Sequence, residues 1–131
     1  MKKLLSFIAL SFLLLSCSSD NDSGNNIDPI IGTWEGGVTT EEYTFLISIT
    51  FNSEGTGIES YNFSTTDGSE QNSGSENFTW ENTALNPDFN SLNQTYQLIF
   101  TGQEPEIIPF TFSADFQTAY SNDGEREFTK V

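Results

Sequence analysis

Nineteen carboxylates are the main chemical resource of this chain, and one of them, Glu59, has neighbours that could give it a task. In the run Gly57-Ile58-Glu59-Ser60-Tyr61-Asn62-Phe63, two-residue alternation puts Glu59 on the face of Tyr61 and Phe63, beside the space that Gly57 leaves. A carboxylate turned into an apolar cup has a raised pKa and calls for a donor or a cation, as a ligand-orienting group does. A bulge after Gly57 would turn it outward instead.

Other chemistry is scarce. The chain has no His and a single Cys, so His-based triads and zinc sites built from His or Cys are unavailable. A carboxylate hydrolase would need two inward acids close together, but so many acids make chance pairs freely and no spacing singles one out. Asp20-Asn21-Asp22 starts like an EF-hand loop, yet Asn25 stands where the loop needs Gly and Ile31 where it needs Glu. Neither a phosphate-cradling Gly loop nor an Arg cluster is present. The expectation is a protein that is not an enzyme and carries no metal or cofactor.

The charge narrows the partners. The formal charge is −15, and it falls to −17 if Lys2 and Lys3 leave with a processed leader, when only Arg126 and Lys130 remain against the acids. Such a surface repels phosphate backbones and excludes nucleic acid as a partner. Solubility is the plain account of the acidity.

The leader itself is legible. Lys2-Lys3 followed by the apolar run Leu4 to Leu15 has the form of an export signal, too short to span a bilayer. Leu14-Leu15-Ser16-Cys17 then resembles the bacterial lipobox. That resemblance implies cleavage before Cys17, acylation of its thiol and of the new amino terminus, and so an anchor in the membrane; two or more chains hold where one binds marginally. Residues 1–16 form the signal, and residues 17–28 a lipidated flexible tether, since Ser18 to Asn26 contain no apolar residue. The Ser after the Cys and the acids beyond it are similar to outer-membrane lipoproteins of the Bacteroidetes type. Localisation at the outer membrane follows, on its periplasmic or its surface-exposed face.

Residues 29–131 carry the fold. Tyr43, Phe45, Ile47, Ile49 and Phe51 share one face of a strand, Asn52 to Gly55 turn the chain, and Thr56 to Phe63 return. A long polar loop is expected over Thr65 to Ser75. Phe78 and Trp80 mark a further strand, a break follows at Asn86-Pro87-Asp88, and Tyr96, Leu98 and Phe100 mark the next. Pro109 demotes the run Ile108 to Phe112 to an edge, a strand start or a bulge. Phe116, Thr118 and Tyr120 form another strand, Asn122-Asp123-Gly124 a tight turn, and Glu125 to Val131 the last strand. Sequential hairpins point to an all-β, eight-stranded antiparallel up-and-down barrel, because closure removes exposed edges; a two-sheet β-sandwich is the alternative.

Gly32-Thr33-Trp34 at the first strand matches the Gly-x-Trp signature of lipocalins. Together with the lipobox, the Ile49 to Thr56 hairpin and the final Asp-Gly turn, it makes the chain resemble the short lipocalin-like lipoproteins of Bacteroidetes. The resemblance implies that Gly32 and Trp34 close the barrel base and that Arg126, on the last strand, covers the indole as a cation–π cap. It also implies binding of a small apolar or amphipathic ligand in the barrel or at its mouth, with Glu59, Tyr61, Trp80, Tyr96 and Tyr120 as candidate lining. The chain is short for that family and has no helix after its last strand, so its own side chains could fill the barrel. The alternative function is then a non-enzymatic interaction or accessory protein of an outer-membrane or glycan-capture assembly, with an outer-membrane protein as partner and Phe89, Trp80 or Tyr120 exposed near loops.

Overall fold

Period-two alternation folds the chain into strands throughout residues 27–121 and 126–131, the residues described by a computed structural model. The leader, most of the tether with Cys17, and the Asn122-Asp123-Gly124 turn lie outside the described residues. Eight strands follow in order: β1 (Gly32–Thr39), β2 (Tyr43–Phe51), β3 (Thr56–Thr65), β4 (Gln71–Asn82), β5 (Asn93–Phe100), β6 (Glu106–Phe112), β7 (Thr118–Ser121) and β8 (Arg126–Lys130). Each pairs antiparallel with its neighbours, and β1 pairs with β8, so the sheet closes into an eight-stranded up-and-down barrel rather than a sandwich. Closure satisfies the backbone groups that an open sheet would leave at its two edges.

Two expectations about boundaries are corrected. The polar stretch Gln71 to Ser75 is not loop but the first part of β4, paired with Ser64 to Ser60 of β3. Polar side chains are stable there because that end of the wall is wet on both faces, so the strand lacks the alternating apolar signal. Phe116 lies in the turn before β7, not in a strand: its φ is 55°, and its ring packs on Phe112 at 5.8 Å. A left-handed Phe is a backbone outlier, compensated here by burial of the ring. Pro109 sits inside β6 opposite Thr95, beyond the short Phe110–Phe112 ladder with β7, where its missing N–H is tolerated.

The interior is unevenly filled. Trp34, Ile49, Phe51, Phe78, Tyr96, Leu98, Phe110, Phe112 and Phe128, with Ile30 and Ala119, make one core in the half where β1 starts and β2 ends. Phe51, Phe78, Trp80, Tyr96 and Phe110 form a chain of ring contacts at 5.3–5.9 Å, with edge-to-face geometry at all four. Inward glycines admit some of these rings. A Cβ on Gly57 would stand 2.2 Å from Phe78 Cζ and one on Gly36 2.9 Å from Phe128 Cδ1, so each ring lies flat over the backbone of the next strand. Towards the other end Tyr43, Phe45, Tyr61 and Phe63 are only half-buried. The barrel is thus a packed base below an open mouth.

Candidate functional site

The base is sealed by the four residues before β1. Asp28 is buried, and its Oδ1 accepts from the Ile30 backbone N–H at 3.1 Å and from the Tyr96 hydroxyl. Ile31 N–H donates back to Asp28 O, fixing a turn. Trp34 is 2% exposed, and its Nε1–H donates to Ile30 O at 2.6 Å. Gly32 and Trp34 lie at the packed end of the barrel, with the turn over the indole. Asp28, expected as the last residue of the tether, is tied to the fold by these bonds.

The cap over Trp34 is a correction. Trp34 is registered against Lys130, not Arg126, and Lys130 Nζ stands 5.1 Å from the indole centroid. The same ammonium donates to Pro29 O at 3.1 Å. Burial lowers the Lys130 pKa, opposed by the charge of Asp28. Burial, reinforced by the bond to Asp28, pushes the Tyr96 hydroxyl far above the ordinary tyrosine range. Arg126 is four residues before Lys130 on β8, at the mouth end, so it cannot reach the base.

Two of the five candidate lining residues also belong to the base. Trp80 Nε1–H is shared between Asn52 O at 3.1 Å and Thr56 O at 3.0 Å, which pins the β2–β3 turn. Tyr96 is fully buried against Trp80 and Phe110. Tyr120 faces outward, opposite Glu127 and Thr111, and is 37% exposed. Phe89 is half-buried in the β4–β5 loop. Tyr61 does point inward, but its ring rests on Gly74 of β4, where a Cβ would be 2.8 Å away.

Glu59 is the residue that reaches open space. The β2–β3 ladder runs without a bulge, with Ile49 opposite Glu59 and Phe51 opposite Gly57, so Glu59 keeps the inward face. It lines a cavity of about 630 Å³ together with Phe45, Ile47, Phe128 and Arg126. Burial raises the Glu59 pKa above 4.5, Arg126 opposes the shift, and the charges of Glu106 and Glu76 add to it. Glu76 is registered directly against Glu59 on β4, and its carboxylate takes bonds from Gln103 Nε2 at 3.1 and 3.3 Å.

The cavity lies beside the β1–β8 seam. Among the described residues β1 and β8 share the pairs Trp34–Lys130, Glu35–Thr129 and Gly36–Phe128. Beyond these pairs Gly37 and Val38 on one side and Arg126 and Glu127 on the other line the cavity, with Glu59 on the wall contributed by β3. Neither Asp28 nor Lys130 shows its role in the sequence, since each sits in a polar terminal stretch and acquires its partner only on barrel closure. No family model, no curated protein and no solved structure matches this chain.

Proposed function

We propose that the protein is a lipid-anchored, lipocalin-like binding module of the outer membrane, held through Cys17, that takes a small amphipathic ligand into the mouth half of its barrel. The observation that carries this reading is the cavity with apolar walls at Phe45, Ile47 and Phe128 and with Glu59 and Arg126 as its charged lining. An apolar ligand body would rest on those walls, with a hydrogen-bond donor or a cation set against Glu59. The volume falls in the range of pockets that enclose small molecules. Binding fits the geometry better than hydrolysis, because Glu59 and Glu76 stand side by side on neighbouring strands rather than facing each other across a bound substrate. The accessory-protein reading finds less support, since Phe89 and Trp80 are half-buried and Tyr120 is the one aromatic among the exposed large apolar side chains of the described residues.

The test is calorimetry with a primary alkylamine as probe. Wild-type protein is expected to bind it, Ile47→Trp to abolish binding by filling the cavity, and Glu59→Gln to weaken it about tenfold, since a hydrogen bond to a charged group is worth at least about 1.5 kcal/mol. Equal affinity in all three proteins, with folding verified by circular dichroism, refutes the reading.

A further inference from the structure

The base carries exposed apolar side chains that no packing in the barrel explains. Leu85 in the β4–β5 loop is 96% exposed, Val131 after β8 is 70% and Ile27 before the sealing turn is 62%. These are the three most exposed large apolar side chains among the described residues, and all three sit at the end where the N-terminal segment enters. Leu92, in the same loop, is exposed as well. Two of the acids at this end are held in their own turns, while Glu54 in the β2–β3 turn is exposed. Asp115 accepts from Ser113 Oγ at 2.6 Å and from Gln117 N–H at 3.1 Å, and Asp88 accepts from Asn90 N–H at 3.0 Å. The mouth hairpins present Glu41, Glu42, Glu70 and Glu104 to solvent, and Asp67 there is held in its own turn by Ser69 N–H at 3.0 Å and Ser69 Oγ at 2.7 Å.

From these features we infer that the base is a membrane-facing surface, seated on a zwitterionic phospholipid layer through Leu85, Ile27 and Val131, with the ligand mouth turned away from it. The inference rests on the anchoring of Cys17. Ten residue steps separate Cys17 from Ile27, which span at most about 36 Å fully extended. The twelve residues of β4 run to about 40 Å along the strand, which a tilt of about 40° reduces to about 30 Å along the barrel axis. A tether from Cys17 thus joins the fold at the base, and the apolar side chains exposed there, rather than the tether's reach, set that end against the lipid. Exposed apolar side chains on the near end then sink into the interface, as in other surface-seated proteins. A mouth pointing outward leaves the cavity at Glu59 open to ligand arriving from the aqueous side.

The test uses the full chain expressed in a bacterial host, with its intact mass read for acyl groups on Cys17, and placed in phosphatidylcholine nanodiscs doped with a gadolinium-headgroup lipid. Amide relaxation is expected to be enhanced at Leu85, Leu92 and Val131 and unchanged at Glu42, Gly68 and Gly102. The substitution Leu85→Ser is expected to at least halve the enhancement at the base without altering the fold. Uniform enhancement, stronger enhancement at the mouth hairpins, or protection of the base by a second copy in the absence of lipid overturns the inference. An unmodified Cys17 overturns the anchoring itself, and is read separately from the mass. In that event the chain from Cys17 onward, coupled through its one thiol to a maleimide lipid, still reports whether the base or the mouth meets the bilayer.

Discussion

Removing one oxygen atom, by Tyr96→Phe, is expected to cost the barrel about 2 kcal/mol, the middle of the range for a hydrogen bond to a charged group. The ring is fully buried, and its contacts with Trp80 at 5.8 Å and Phe110 at 5.9 Å survive the change. What is lost is the hydroxyl that donates to Asp28 Oδ1, leaving that buried oxygen with only the Ile30 N–H at 3.1 Å. For a domain of about this size each kcal/mol moves the thermal midpoint by about 4–8 °C, so a fall of about 8–16 °C follows. Urea unfolding of Tyr96→Phe, Asp28→Ala and the double variant forms a thermodynamic cycle, with Trp fluorescence as the readout. A coupling of about 1.5 kcal/mol or more is expected from the pair, and a coupling under about 0.5 kcal/mol would refute the account of the base as a turn latched onto the core.

Lys130→Ala is expected to cost about 1–2 kcal/mol through the lost contact with Trp34 and the lost bond to Pro29, and to shift Trp fluorescence, whereas Arg126→Ala leaves the emission unchanged. Emission spectra of the two variants decide which cation caps the indole. Gly57→Ala would place a methyl 2.2 Å from Phe78 Cζ and 2.6 Å from Thr50 O, so a loss of about 1–3 kcal/mol is expected on denaturant unfolding. The raised pKa of Glu59, caused first by burial, means that the folded state keeps this proton to higher pH than the unfolded chain does. Stability then falls as pH rises from the unfolded value through the folded one, so Glu59→Gln is expected to match wild type near about pH 4 and to exceed it near about pH 7 in thermal melts.

The fold was largely legible in the sequence because half-buried strands write their inward face in every second residue. Tyr43 to Phe51 shows this most plainly, whereas alternation alone left Glu59 open between an inward face and an outward one after a bulge at Gly57, and only the unbroken ladder decides between them. The signal failed where both faces of the wall are wet, as at Gln71 to Ser75, and where a single residue takes an unusual backbone angle, as at Phe116. The cap over Trp34 was misassigned because both cations lie on one strand on the same face. Only the ladder register, which aligns Trp34 with Lys130, separates them. Trp80 and Tyr96 looked like lining because inward aromatics fill a base and line a mouth with the same periodicity. Which half of the barrel is empty depends on the turn from Asp28 to Ile31, and a polar stretch ending in Asp-Pro gives no hint that it folds under the barrel.

The central claim is that the mouth half of the barrel is a ligand site with Glu59 at its polar end. Native mass spectrometry of the protein purified gently from a bacterial host tests it most directly, with denaturing extraction alongside to identify whatever is carried through. The account predicts an adduct that is lost on denaturation and absent from Ile47→Trp. A clean apo mass that persists after incubation with alkylamines and other amphiphiles would contradict it.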